Sequence, residues 1–290
     1  MLMLLTSFIL LLPTFYSVGQ DKPGTLLWEV SKVGVKDRSY LFGTFHEVNP
    51  YFFLSLPNSV KKLEQADMLF VERTTVDIES SSSENVRLNY WTEEQWDSIL
   101  DKDQKQVFES FVEKSEDQGY YNLPPSVLAL NLAQLYTKFF CDDNGRKSYE
   151  TMESFIEEVA LNSNKRIRSL DENQANILLR SSLSNTTEED SVYAASCINY
   201  MNRMLNDNIS DCELVEEYKN LNIDYQLEIK DHQHPFELTE RNERWMAVLN
   251  EAFKENSCFV AVGFRHLQYK QGLVQQLREL GYLVEPIATR

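Results

Sequence analysis

Cys258-Phe259-Val260-Ala261-Val262-Gly263-Phe264-Arg265-His266 is the stretch that decides the fold. Its apolar run has no polar interruption, the pattern of a strand buried on both faces. Glycine closes the run and a histidine follows three residues on. Beyond it, His266 to Leu280 reads as a helix, Gly281-Tyr282 as a turn and Leu283 to Ile287 as a last strand. Strand, glycine turn, helix and strand in succession predict a βαβ unit and parallel pairing. The same signature stands near the other end of the chain, where Tyr40-Leu41-Phe42 leads into Gly43-Thr44-Phe45-His46. Two of only four histidines occupy these equivalent places.

Working outward, Thr25 to Ser31 and Arg38 to Phe42 are β-rich runs around a Gly34 turn and read as a hairpin. Pro57 opens a helix that runs through Ala66, and Met68-Leu69-Phe70-Val71 is a short buried strand ending at Glu72. Ile78 to Asn85, rich in Ser and Glu, reads as a loop. The middle is helical. Thr92 is an N-cap with Gln95 as its capping-box partner. Ser126 to Phe140 is apolar nearly all round, so burial on every face is expected. Ser148 to Leu161 is amphipathic, with Met152, Phe155, Ile156 and Val159 on one face. Arg166 to Leu170 reads as a strand, and Asp171 to Leu183, Glu188 to Leu205, Cys212 to Leu221 and Glu240 to Asn256 as helices. The expected fold is α/β: a central mixed sheet formed by both chain ends, flanked by helices, with a long helical insertion over about residues 90–231.

The hydrophobic fraction of 42% and aromatic fraction of 12% are those of a packed domain. A formal charge of −17 argues against a nucleic-acid partner, since such binding rests on Lys and Arg neutralising phosphates. Leu2 to Leu12 is almost continuously apolar and no charge appears before Asp21. This predicts a signal peptide over residues 1–20, cut near Gly19 or Gln20, and a secreted or periplasmic domain over 21–290 with no membrane span. The missing basic residue ahead of the apolar core keeps an N-terminal anchor or buried helix open. Export makes Cys141, Cys197, Cys212 and Cys258 disulfide candidates with three possible pairings. Cys258, opening an apolar strand, is expected as a buried free thiol. Asn185-Thr186-Thr187 and Asn208-Ile209-Ser210 are glycosylation sequences, relevant only in a eukaryotic secretory host.

His46 and His266 both follow strands, and ligands in open α/β sheets gather beyond strand carboxyl ends. Imidazole there suits a metal ligand or a general base, while a lone strand-end histidine often does no more than bond a loop. Glu72 is the third candidate, because a carboxylate ending a buried strand needs a cation or metal beside it. Two histidines and one carboxylate would make a hydrolytic metal set with room for water; a salt bridge from Glu72 to Arg73 or Arg241 is the alternative. Asp171 and Glu172 stand at another strand end, as ligand, base or, more simply, helix cap. Glu47 reads as a loop-shaping neighbour. His232-Gln233-His234, followed by Pro235, reads as a surface loop. No G-x-S-x-G, P-loop or H-E-x-x-H signature is present.

Several of these segments, in order, resemble the TraB/PrgY/GumN proteins. They are Leu27-Trp28-Glu29-Val30 with Tyr40 to His46, Ala66 to Glu72, Ser169-Leu170-Asp171-Glu172-Asn173-Gln174, Arg241-Asn242-Glu243-Arg244-Trp245, and Phe259 to Leu267 with Gly272-Leu273 and Gly281-Tyr282. Asp171 stands where the family usually has Glu, and Phe264, Arg265 and Tyr269 replace residues that are commonly small. The family is similar to Tiki proteases and, distantly, to erythromycin esterase-like and ChaN-like folds. The resemblance implies a metal-dependent peptidase with His46, Glu72 and His266 as metal ligands. Glu72 or Asp171 would move the proton, and Arg241 and Asn242 would orient an acid or bind an oxyanion. Mn, Co or Zn would suit such imidazole and carboxylate ligands, and the resemblance implies a peptide or protein as substrate; a non-catalytic peptide- or glycan-binding member of the same fold is the alternative.

Overall fold

The structure, a computed structural model, describes residues 22–75, 90–142, 150–171, 187–230 and 236–290. The expected signal peptide, the 78–85 loop, the helix after Asp171 with Glu172, the Asn185 glycosylation sequence and the His232/His234 pair lie outside the described residues.

Six strands form one sheet: β1 (Leu27–Ser31), β2 (Ser39–Thr44), β3 (Met68–Val71), β4 (Arg166–Ser169), β5 (Cys258–Gly263) and β6 (Leu283–Ile287), in the order β4-β3-β5-β2-β1-β6. β1 and β2 form the expected antiparallel hairpin, Leu27 opposite Phe42. β2, β5, β3 and β4 are all parallel, with Gly43 beside Val262, Val71 beside Ala261 and Val71 beside Ser169. Their carboxyl ends therefore share one edge, and that edge carries the site.

The closing segment departs from the βαβ expectation. β6 runs in the same direction as β5 but does not pair with it; it pairs antiparallel with β1 at the far edge, Leu27 opposite Ile287. β5 is already flanked on both sides by β2 and β3, so the chain must cross two strands before it meets a free edge. The expected helix from His266 also divides. A 3-10 turn covers Phe264–Leu267, Tyr269 takes a positive φ of 64°, and the helix proper begins only at Leu273. Gly272 is required there, because a Cβ would lie 2.2 Å from the Gln268 carbonyl oxygen.

The described α-helices are α1 (Pro57–Gln65), α2 (Glu93–Ile99), α3 (Lys102–Ser115), α4 (Pro125–Tyr136), α5 (Met152–Asn162), α6 (Thr187–Leu205), α7 (Glu213–Lys219), α8 (Phe236–Glu255) and α9 (Leu273–Glu279). The predicted capping box at α2 is present, with Thr92 and Gln95 bonding each other's backbone N–H. Two cores result. The larger is built on the sheet and gathers Phe42, Phe70, Phe259, Ile156 of α5, Tyr218 of α7 and Trp245 of α8. The smaller joins α2, α3, α4 and α6 around Trp96, Phe108, Leu132 and Met201. The Cys141–Cys212 disulfide spans 71 positions at their meeting point, and Cys197 and Cys258 are buried free thiols.

α4 corrects a second expectation. It buries Leu128, Ala129, Leu132 and Tyr136, but Leu130 is 54% exposed. One face of this apolar helix is left for a cleft, and at Thr137–Cys141 it widens into a π-turn, a local form that recurs beside functional sites. Among the described residues, no helix is long and apolar enough to cross a membrane.

Candidate metal centre

The register of β2 against β5 places the two glycine-histidine turns side by side, Thr44 opposite Gly263. Neither glycine is there for a left-handed backbone. Gly43 admits the second turn, since a Cβ on it would lie 2.8 Å from Phe264 Cβ. Gly263 admits the site itself, since its Cβ would lie 3.1 Å from Glu72 Oε1, 3.8 Å from the His266 ring and 4.0 Å from His46 Nε2.

Glu72 follows β3 and reaches this point although β5 lies between β3 and the hairpin. Its Oε1 accepts from the Gly263 backbone N–H at 2.7 Å and lies 3.6 Å from His266 Nε2 and 3.9 Å from His46 Nε2. Its Oε2 pairs with Arg241 of α8. The salt bridge weighed for Glu72 is thus real, and it coexists with the convergence of the histidines.

Sequence reasoning missed the next candidate ligand. Glu153 of α5 is buried, lies 2.8 Å from His46 Nε2 and accepts from the Thr44 hydroxyl. It sits in the first turn of an amphipathic helix, where an acid is ordinarily a solvated partner of the helix dipole. The one available signal was its stacking one turn from Glu157 beside the apolar face, which made a buried acidic row conceivable. Donor atoms of His46, Glu72 and Glu153 all lie within 4.8 Å of one another.

His266 lies just outside that trio. Its Nδ1 is 2.7 Å from Asn242 Oδ1, a contact that puts the proton on Nδ1 and turns the Nε2 lone pair toward the site. There Nε2 meets Arg241 Nη1 at 3.2 Å. Asn242 also donates to the Gln271 carbonyl at 3.0 Å, so its own orientation is set. Asp171 follows β4 and does not reach the imidazoles. It accepts from Arg241 at 2.6 and 3.1 Å and from Trp245 Nε1 at 2.8 Å. Asp171 therefore fixes the guanidinium. Glu47 lines the cleft beside His46 without joining the cluster.

The charges explain the shifts. Burial pushes the Glu72 carboxyl up, but the groups around it, His266, His46 and Arg241, hold it well below the usual range. Burial pushes His266 down to about 3, so this ring is neutral near pH 7, and Arg241 is the permanent cation beside Glu72. Burial and the Glu72 charge push Glu153 up, and Glu153 in turn raises His46 well above an ordinary imidazole, against the effect of burial. Of three buried carboxylates, Glu72 and Asp171 share the one guanidinium, and Glu153 is paired with His46 instead. The cluster is short of positive charge, and a proton on His46 makes up part of the deficit. A divalent cation among one imidazole nitrogen and two carboxylates meets the same need, so the donor set fits a metal.

These features define an α/β protein whose parallel strand ends gather a carboxylate–imidazole cluster suited to a divalent cation. A model of the TraB/PrgY/gumN family matches residues 26–286, and the chain belongs to that family. No curated protein and no solved structure matches the chain.

Proposed function

We propose that the protein is a metal-dependent hydrolase of peptides, acting outside the cytoplasm. The observation that carries this reading is the convergence of His46, Glu72 and Glu153, of which His46 and Glu72 line an open cleft. The Cys141–Cys212 pair supports an oxidising compartment. His46, Glu72 and Glu153 would hold the ion; His266 would join them only if Arg241 moved off its Nε2. A bound Mn, Co or Zn ion supplies Lewis acidity and a water of lowered pKa. The chain's own groups do the rest. Glu153 would give the ion one carboxylate oxygen and keep the other to take the proton of the attacking water and return it to the leaving amine. Arg241, anchored by Asp171, keeps one Nη1 N–H beyond those given to Asp171, Glu72 and His266, and that one would meet a developing oxyanion. Asn242 keeps the His266 lone pair facing the site.

The test is metal content and turnover together. Wild-type protein purified with Mn, Co or Zn should retain about one ion per chain and cut members of a broad peptide library, while a His46→Ala, Glu153→Gln double variant should do neither. A wild type that holds no ion or cuts no peptide with any of them removes the proposal. The second reading, a non-catalytic binding protein, draws on Arg241, which satisfies Glu72 without a metal; peptide binding with no retained ion and no turnover would establish it.

A further inference from the structure

Helix α4 presents two rows of side chains to open space on either side of His46. Leu130, Ala133 and Thr137 line a cavity of about 480 Å³ that also contains Glu72, Arg241 and His266. Asn131, Leu135 and Lys138 line a second cavity of about 530 Å³, together with Tyr120 and Leu123. Steps of three and four residues make these rows neighbouring ridges of one helix. Gln134 stands on the crest between them, and it, His46 and Glu47 line both cavities. The two are lobes of one cleft that meet beside the candidate metal centre.

Either lobe alone has the volume of a small-molecule site. A small substrate would have no use for the second, which carries none of the buried carboxylates. An extended chain advances about 3.3–3.6 Å per residue, so several consecutive residues cross both lobes. The lining suits such a chain. Leu130 and Leu135 offer apolar contact in opposite lobes, and the exposed Gln134 amide offers the donor and acceptor that a peptide unit needs.

We infer that the cleft binds an extended polypeptide through both lobes at once, so that the bond over His46 is internal to the chain. The inference rests on the hydrolase reading for the cut: the water's hydroxyl goes to the carbonyl carbon, its proton to the amine, and both products are longer than one residue. The binding half stands without turnover. Fluorescein-labelled decapeptides and tripeptides, N-acetylated or N-labelled and C-amidated, would be titrated by anisotropy into the metal-free protein, which leaves them uncut. The decapeptides should bind about tenfold tighter than the tripeptides, and Ala133→Trp and Asn131→Trp, one plug per lobe, should each return most of that gain. Ala133→Leu and Asn131→Phe serve if a Trp variant fails to fold. Equal affinity at both lengths, or a plug in either lobe without effect, overturns the inference. Release of single residues from unblocked peptides, with blocked ones unbound, overturns it while leaving the hydrolase reading intact. Length- and plug-dependent binding without cleavage in any metal upholds the two-lobed cleft and removes the hydrolase reading instead.

Discussion

Arg241 is held by Glu72 and Asp171 and stacks 4.7 Å from the Trp245 ring. Removing Asp171 would leave this guanidinium and the Trp245 N–H without their main acceptor in a buried place. Asp171→Ala is therefore expected to cost about 3–5 kcal/mol, measured as a lower denaturant midpoint at unchanged slope; an unchanged midpoint would show that Glu72 anchors Arg241 alone. The free thiols give a separate expectation in pH. Burial pushes Cys197 and Cys258 up to about 12, so both are neutral in the folded protein where an unfolded chain already ionises. Their raised folded values mean that the associated stability is fully present below an ordinary thiol pKa of about 8.5 and is lost as pH rises toward the folded value. Chemical denaturation at pH 8, 9.5 and 11 should show that decline, and Cys197→Ala, Cys258→Ala should flatten it relative to wild type. At pH 8 neither thiol should alkylate before unfolding.

Among the elements, the strand-end turns matter most. Gly263→Ala would press a methyl group against Glu72 Oε1 at the centre of the cluster. It should lower retained metal severalfold with little change in melting temperature, because the crowded atom ends a side chain. Gly43→Ala meets Phe264 at its Cβ and, at 3.1 Å, its Cα, so the turn itself must shift. That variant should lower the melting temperature by several degrees, and the same loss of metal without loss of stability would contradict the packing described. The disulfide belongs to this scale too. Closing a loop of this length restricts the unfolded chain by about 4 kcal/mol. Reduction should lower the unfolding midpoint accordingly, and an unchanged midpoint would show that the two cores are held together without it. The elements were also the level at which sequence was most legible. Apolar runs ending in glycine or an acid marked β2, β3 and β5, because a strand buried on both faces leaves no polar alternation. α4 misled for the same reason in reverse: an all-round apolar helix looks buried, yet nothing local says that one face will line a cleft.

For the whole molecule, the arrangement follows from four parallel strands sharing one carboxyl edge. Glu72, Asp171, His46 and His266 reach that edge from four separate strand ends, and the larger core holds the strands in register. The two histidine turns and Glu72 could be singled out from the chain, since each carries its own mark: a rare residue, or a charge at the end of an apolar run. Glu153 carried no such mark. Its burial depends on α5 packing beside the sheet, with Thr44 and His46 supplied from more than a hundred residues away. β6 was misplaced for a related cause, because strand direction is local while strand partners depend on which edges remain free.

Sequence alone thus determined the residue types at the strand ends, the hairpin, the capped helices and the family, all of which rest on short-range pattern and composition. Tertiary structure alone decided that Glu153 joins His46 and Glu72, that Arg241 stands against His266, that Cys141 pairs with Cys212, and that α4 splits the cleft. Each of these is a contact between segments far apart in the chain. Its existence depends on the register and packing of the whole sheet, which no local window of sequence records.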